Sequence, residues 1–141
     1  MAQECCTPGE NIMILPCSGG SNVGQLSNKA AGELTQEGFA KMFCLAGIGG
    51  HLDGFIQSAK DVPIMVVIDG CSVACAKAIM EHAEVPVKSF LVLTDLGIEK
   101  DKNFDLKRED IDKIKKVIKE ACDQQQPDLT TGSGDSGPCS G

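Results

Sequence analysis

Four short runs in this chain are apolar almost without interruption, and a segment with helical spacing of apolar residues follows each one. The runs are Asn11 to Cys17, Ala40 to Leu45, Pro63 to Ile68 and Val87 to Leu93. A strand with one wet face alternates polar and apolar residues. A strand that is apolar throughout must be covered on both faces, which is the situation in parallel sheets. The intervening segments, about Val23 to Glu37, His51 to Lys60, Ser72 to His82 and Leu106 to Cys122, read as amphipathic helices. The last carries Ile111, Ile114, Val117, Ile118 and Ala121 as its stripe. Strand followed by helix, four times over, with right-handed crossovers, predicts an α/β fold. The expected architecture is a doubly wound parallel sheet of about four strands with helices on both faces. The expected strand order is 2-1-3-4, with 3-2-1-4 as the alternative.

Local signals set the boundaries. Pro16 fits only near the end of its strand, because proline cannot donate to a ladder. Ser21 or Asn22 is the expected cap of the first helix, Gly38 its terminator, and Asp105 the cap of the last helix. One domain is expected over residues 10–123, after a loose leader at 1–9. Residues 124–141 are rich in Gly and Ser and are expected to be disordered.

Charge and composition exclude several partners. The net charge is −7, and there is no Trp or Tyr. A nucleic-acid backbone wants a basic face and stacking platforms, so no nucleic-acid partner is expected. No apolar run is long enough to span a bilayer, and the first residues have neither a basic region nor an apolar core of secretory type. The expectation is a cytoplasmic protein without a membrane partner. No long exposed apolar stripe calls for a partner subunit, so a monomer is expected. Eight cysteines in a reducing compartment point to metal binding or thiol chemistry rather than to disulfides.

The cysteines have a pattern. Cys17 closes the first expected strand and Cys44 the second. Cys71 directly follows the third, and Cys75 lies one helical turn later. In a parallel sheet all carboxyl ends of strands share one edge, and neighbouring strands are ~4.8 Å apart. Three thiols can therefore gather within about 10 Å, and Cys75 can lean over them. Zinc takes four sulfurs at about 2.3 Å in a tetrahedron. The expected metal ligands are Cys17, Cys44, Cys71 and Cys75, with Zn²⁺ as the bound ion. A zinc ion with four thiolates is a net dianion, so helix N-termini and glycine-rich turns would have to offset its charge. Asp69 is expected to support the site from behind by orienting the turn. Cys122 reads as packing, and Cys5, Cys6 and Cys139 as free thiols.

At PCSGGSNVG (Pro16 to Gly24), FCLAGIGG (Phe43 to Gly50), IDGCSVACAKAIME (Ile68 to Glu81) and LTDLGIEK (Leu93 to Lys100) the chain resembles the DGC-domain family. These are small bacterial and archaeal proteins described as zinc-binding and named for a central Asp-Gly-Cys. The resemblance covers about Asn11 to Cys122. It implies zinc binding through four cysteines, which fall on Cys17, Cys44, Cys71 and Cys75, and it implies no reaction.

Two other functions fit the same residues. One is thiol redox or sulfur transfer, with Cys71 as thiolate and Cys75 as the resolving cysteine. The other is a module that binds a small anion at the same edge. CSGGSNVG lacks the Gly-Lys-Ser/Thr ending of a P-loop. It also has Val23 where a phosphatase-type loop needs arginine. His51 is a candidate ligand or a helix-start residue, and His82 a helix-end residue facing the dipole. Asp95 reads as a turn residue, and Lys77 as a solvated neighbour of the thiols.

Overall fold

The computed structural model describes residues 11–125. The expected leader, and the expected tail beyond Gln125, lie outside the described residues. The sheet has four parallel strands: β1 (Ile12–Pro16), β2 (Lys41–Met42), β3 (Ile64–Asp69) and β4 (Phe90–Val92), in the order β2-β1-β3-β4. This is the expected 2-1-3-4 arrangement. Five α-helices accompany it: α1 (Asn22–Gln36), α2 (Leu45–Gly49), α3 (Asp53–Asp61), α4 (Cys75–His82) and α5 (Arg108–Gln125).

The two central strands are buried at every position. Alternation along them divides the core into two layers. Ile12, Ile14, Ile64, Val66 and Ile68 pack toward α1 and α5. Met13, Leu15, Cys17, Met65 and Val67 pack with residues of α2, α3 and α4. Each strand therefore feeds two cores, as its unbroken apolar character requires.

The edge strands are shorter than their apolar runs. β2 keeps two residues, and Leu45 already belongs to α2. The segment expected as one helix from His51 is a turn followed by α3. β4 keeps three residues and begins opposite Val67. Below it the side chain of Gln125 takes over: its amide accepts from Met65 N at 3.0 Å and donates to Met65 O at 2.8 Å. α5 thus runs two residues into the expected tail.

Helix ends follow side-chain chemistry. Ser21 caps α1 by accepting from Gly24 N at 3.2 Å. Gly38 ends it with φ +81°, where Phe39 N reaches back to Leu34 O. Asp105 does not cap the last helix, which starts at Arg108. Asp101 Oδ1 accepts from Asn103 N, and Asn103 Oδ1 from Asp105 N. These successive side-chain turns keep the backbone out of the helix until Arg108.

α1 and α5 are tied at their surface by Glu33, which accepts from Arg108 through both oxygens (2.7 and 3.0 Å) and from Lys115 at 3.2 Å; Lys115 also pairs with Glu37. The hydrogen bonds from Arg108, and then those from Lys115, hold the Glu33 carboxyl down at about 2. A carboxyl lowered on folding stabilises the fold above its unfolded value and loses that contribution as pH falls toward the folded one. Solvent screening keeps the gain below about 1 kcal/mol. Urea unfolding of wild type and Glu33→Gln should differ by that small amount at pH 7, and the difference should vanish by about pH 2.

Candidate thiol site

The site sits where β1, β3 and the start of α1 meet, and a backbone contact builds it. A Cβ at Gly70 would stand 2.6 Å from Val23 C and 2.7 Å from Gly24 N. A Cβ at Gly24 would stand 2.6 Å from Gly19 N and from Gly19 O. Only glycine at both positions lets the end of β3, the first turn of α1 and the loop after Cys17 come together.

Asp69, 1% exposed, sits on the α4 side of β3. Its carboxylate accepts from Ala76 N at 2.8 Å and from Lys77 N at 3.0 Å. This buried charge is met by the free N–H groups of a helix start. The consequence corrects an expectation: α4 begins at Cys75, not at Ser72. Residues Cys71 to Ala74 form a turn closed by Ala74 N to Cys71 O, with Ala74 left-handed at φ +58°. The positive end of α4 is engaged by Asp69 and is not free to favour thiolate.

Cys17 continues the ladder, its N–H donating to Ile68 O at 2.8 Å. Cys17, Cys71 and Cys75 then line one cavity of about 240 Å³ with Asp69, Lys100 and Lys102. Cys17 is buried, Cys71 half-buried and Cys75 exposed at the mouth. Cys44 does not line this cavity. It stands exposed at the N-cap of α2. The structure therefore brings three of the four expected ligands to one pocket and leaves the fourth out of its lining. Among the described residues, no three His, Cys, Asp or Glu side chains are gathered tightly enough to hold an ion as they stand.

Burial pushes the Cys17 thiol above its usual range. The Gly19 and Gly70 N–H groups pull it down, and the charges of Asp69 and Cys75 push it up. Cys17 is thus a protonated thiol that gives up its proton only to a strong partner. Two lysines supply positive charge. Lys100 Nζ lies 3.4 Å from Cys71 Sγ, and Lys102 Nζ donates to Gly20 O at 2.6 Å. Asn22 holds Lys100 there: it donates to Glu99 O at 2.7 Å, accepts from Asp101 N at 2.6 Å, and its own N–H reaches Asp101 O at 3.0 Å. Three bonds clamp the residues on either side of Lys100.

Sequence reasoning missed both lysines because they lie about thirty residues beyond Cys71. The one clue was LTDLGIEK, which ends on Lys100. Lys77, the lysine closest in sequence, instead lies over the Phe90 ring at 5.1 Å to its centroid. A larger groove of about 410 Å³ flanks the Asn22 clamp, lined by Glu99, Asp101, Asp105 and Asp110 and by no thiol. His51 does not line the thiol pocket.

A cysteine-lined pocket at the carboxyl edge of a parallel α/β sheet, on an Asp-Gly-Cys corner, defines the class. The sequence matches the DGC domain over residues 13–118. It is 31% identical over 102 residues to the anaerobic and virulence modulator AnvM of Pseudomonas aeruginosa PAO1, covering 72% of this chain and 78% of that protein. The chain belongs to the DGC-domain family. No solved structure matches it.

Gly70→Ala should destabilise the fold by about 1–3 kcal/mol, because the new methyl meets backbone that cannot turn away. Gly54→Ala, in open space on α3, should be neutral or slightly stabilising; equal denaturation midpoints for the two variants would contradict the close-approach account. Among the described cysteines, exposed Cys44 and Cys75 should be labelled first when metal-free protein is treated with a thiol reagent at pH 8. Cys122 should be labelled last among the described cysteines, since burial, with a lesser push from Asp123, raises its thiol to about 11.

Proposed function

We propose that this chain binds a thiophilic divalent metal, zinc first, at the Cys17–Cys71–Cys75 pocket, with Cys44 completing the set. The observation that carries the reading is the convergence of three cysteines from β1, the turn after β3 and the start of α4 on one cavity. An all-sulfur donor set suits zinc and other thiophilic metals. Zinc bound by four thiolates leaves no open position for water, so the ion serves binding rather than hydrolysis. The chain's own groups prepare for the negative charge of the complex. The Gly19 and Gly70 N–H groups point at Cys17, and Lys100 and Lys102 stand over the pocket. Asp69 sets the turn that aims Cys71 and Cys75, and it is not itself counted among the ligands. Cys44 has the freedom to join. It follows a two-residue edge strand and is exposed at a helix start with no side-chain capping bond.

The ion on this reading is cargo or signal rather than a staple. Two apolar cores flank the sheet, and no buried side-chain polar atom of the described residues lacks a partner. Nothing in the packing waits for a metal to complete it, in contrast to small domains that fold only around zinc. The relative AnvM is named a modulator, which accords with a protein that carries a state rather than turning over a substrate.

Lys100 beside Cys71 supports a second reading, thiol redox chemistry at Cys71 with Cys75 as resolving thiol, because an ammonium there would balance a negative sulfur.

Protein purified without added zinc should carry about one equivalent of metal by elemental analysis. Cys71→Ser should lose that metal while keeping its circular dichroism and melting behaviour. A wild-type protein that stays folded and takes up no zinc, cobalt or iron would overturn the metal reading. Retention of metal by Cys71→Ser would remove Cys71 from the site.

A further inference from the structure

The chain has two histidines, His51 and His82, and the fold puts their rings together. The ring centroids are 4.8 Å apart in an edge-to-face arrangement, and both residues are exposed. They come from different elements. His82 is the last residue of α4, and His51 follows the end of α2. α2 and α4 pack together, with Ile79 close against Gly49.

Two features set this contact apart from a chance surface pair. First, the backbone at His51 is left-handed, φ +56°. Glycine holds that conformation without strain, and a non-glycine residue there is uncommon. Histidine is among the few non-glycine residues enriched there, and this turn sets the ring beside His82. Second, the two segments share a pattern, Cys44-Leu-Ala-Gly-Ile-Gly-Gly-His51 and Cys75-Ala-Lys-Ala-Ile-Met-Glu-His82. Each packed helix has a cysteine at its start and a histidine at or just past its end. The same seven-residue step separates the two.

The geometry points to a second metal site, in which His51 and His82 together chelate a borderline divalent ion such as Zn²⁺, Ni²⁺ or Cu²⁺. Imidazole nitrogen suits these ions at about 2.0–2.1 Å. Two such bonds to one ion place the nitrogens ~3 Å apart, which rings at this separation reach by side-chain rotation. No third protein ligand joins them among the described residues, so water fills the remaining positions and the ion exchanges readily. The site stands at the far end of the same helix pair whose starts carry Cys44 and Cys75. It does not depend on the thiol reading.

The test is a Zn²⁺ titration of the full chain followed by proton NMR of the imidazole Hε1 signals, one per histidine and assignable by single variants. Wild type should show both signals shifting together along one saturation curve. His51→Gly should fold at least as well, because glycine relieves the left-handed backbone. In it, and reciprocally in His82→Ala, the remaining imidazole should need on the order of 100-fold more zinc, the loss expected when a chelate becomes a single ligand. The coupled shift should persist in Cys71→Ser, so failure at the thiols and failure here are read separately. Imidazole signals that stay still up to millimolar zinc would overturn the proposal. So would a His82 titration that is the same in wild type and in folded His51→Gly.

Discussion

Everything at the carboxyl edge of this sheet depends on one contact between backbones, that of Gly70 with Val23 and Gly24. It lets α1 start directly against the end of β3. The loop after Cys17 is then pressed against Gly24, and that loop delivers the Gly19 N–H to the Cys17 sulfur. One residue back, Asp69 turns its charge into the start of α4 and so decides where that helix begins. One residue on, Cys71 is left at the pocket wall. The Asp-Gly-Cys triplet is thus three roles in sequence: a helix cap, a close approach and a thiol.

The electrostatics follow from the same corner. The chain is acidic overall, with a net charge of −7, and a buried carboxylate lies beside the thiols. Burial above all, and that carboxylate to a lesser degree, push the Cys17 thiol up and keep it protonated. Positive charge is imported from far along the chain by the Asn22 clamp, which holds the backbone on both sides of Lys100. On the proposed reading a divalent cation displaces the Cys17 proton, and Lys100 and Lys102 offset the negative charge of the resulting thiolate complex.

Much of this was legible in the residues, for physical reasons. The unbroken apolar character of Ile12–Leu15 and Ile64–Ile68 demanded burial on both faces, and the parallel sheet in order 2-1-3-4 followed. Ser21 and Gly38 marked the ends of α1 correctly because capping is local chemistry. The edge strands were overestimated, since apolar character reports burial and not ladder pairing; Phe43 and Val87 are half-buried against the α2–α4 layer without being strand. Asp69 was foreseen as an orienting group, but its occupation of the α4 N-terminus was not, because that contact spans seven residues and depends on the left-handed turn at Ala74. Lys100, Lys102 and the His51–His82 contact depend on tertiary placement, which spacing along the chain does not encode.

The account turns on three cysteine sulfurs, brought to one wall by the Gly70 corner, sharing an ion with Cys44. X-ray absorption at the zinc edge of the protein loaded with one equivalent of zinc measures this directly. The account predicts a shell of sulfur alone at about 2.3 Å. A first shell of nitrogen or oxygen at about 2.0–2.2 Å would contradict it.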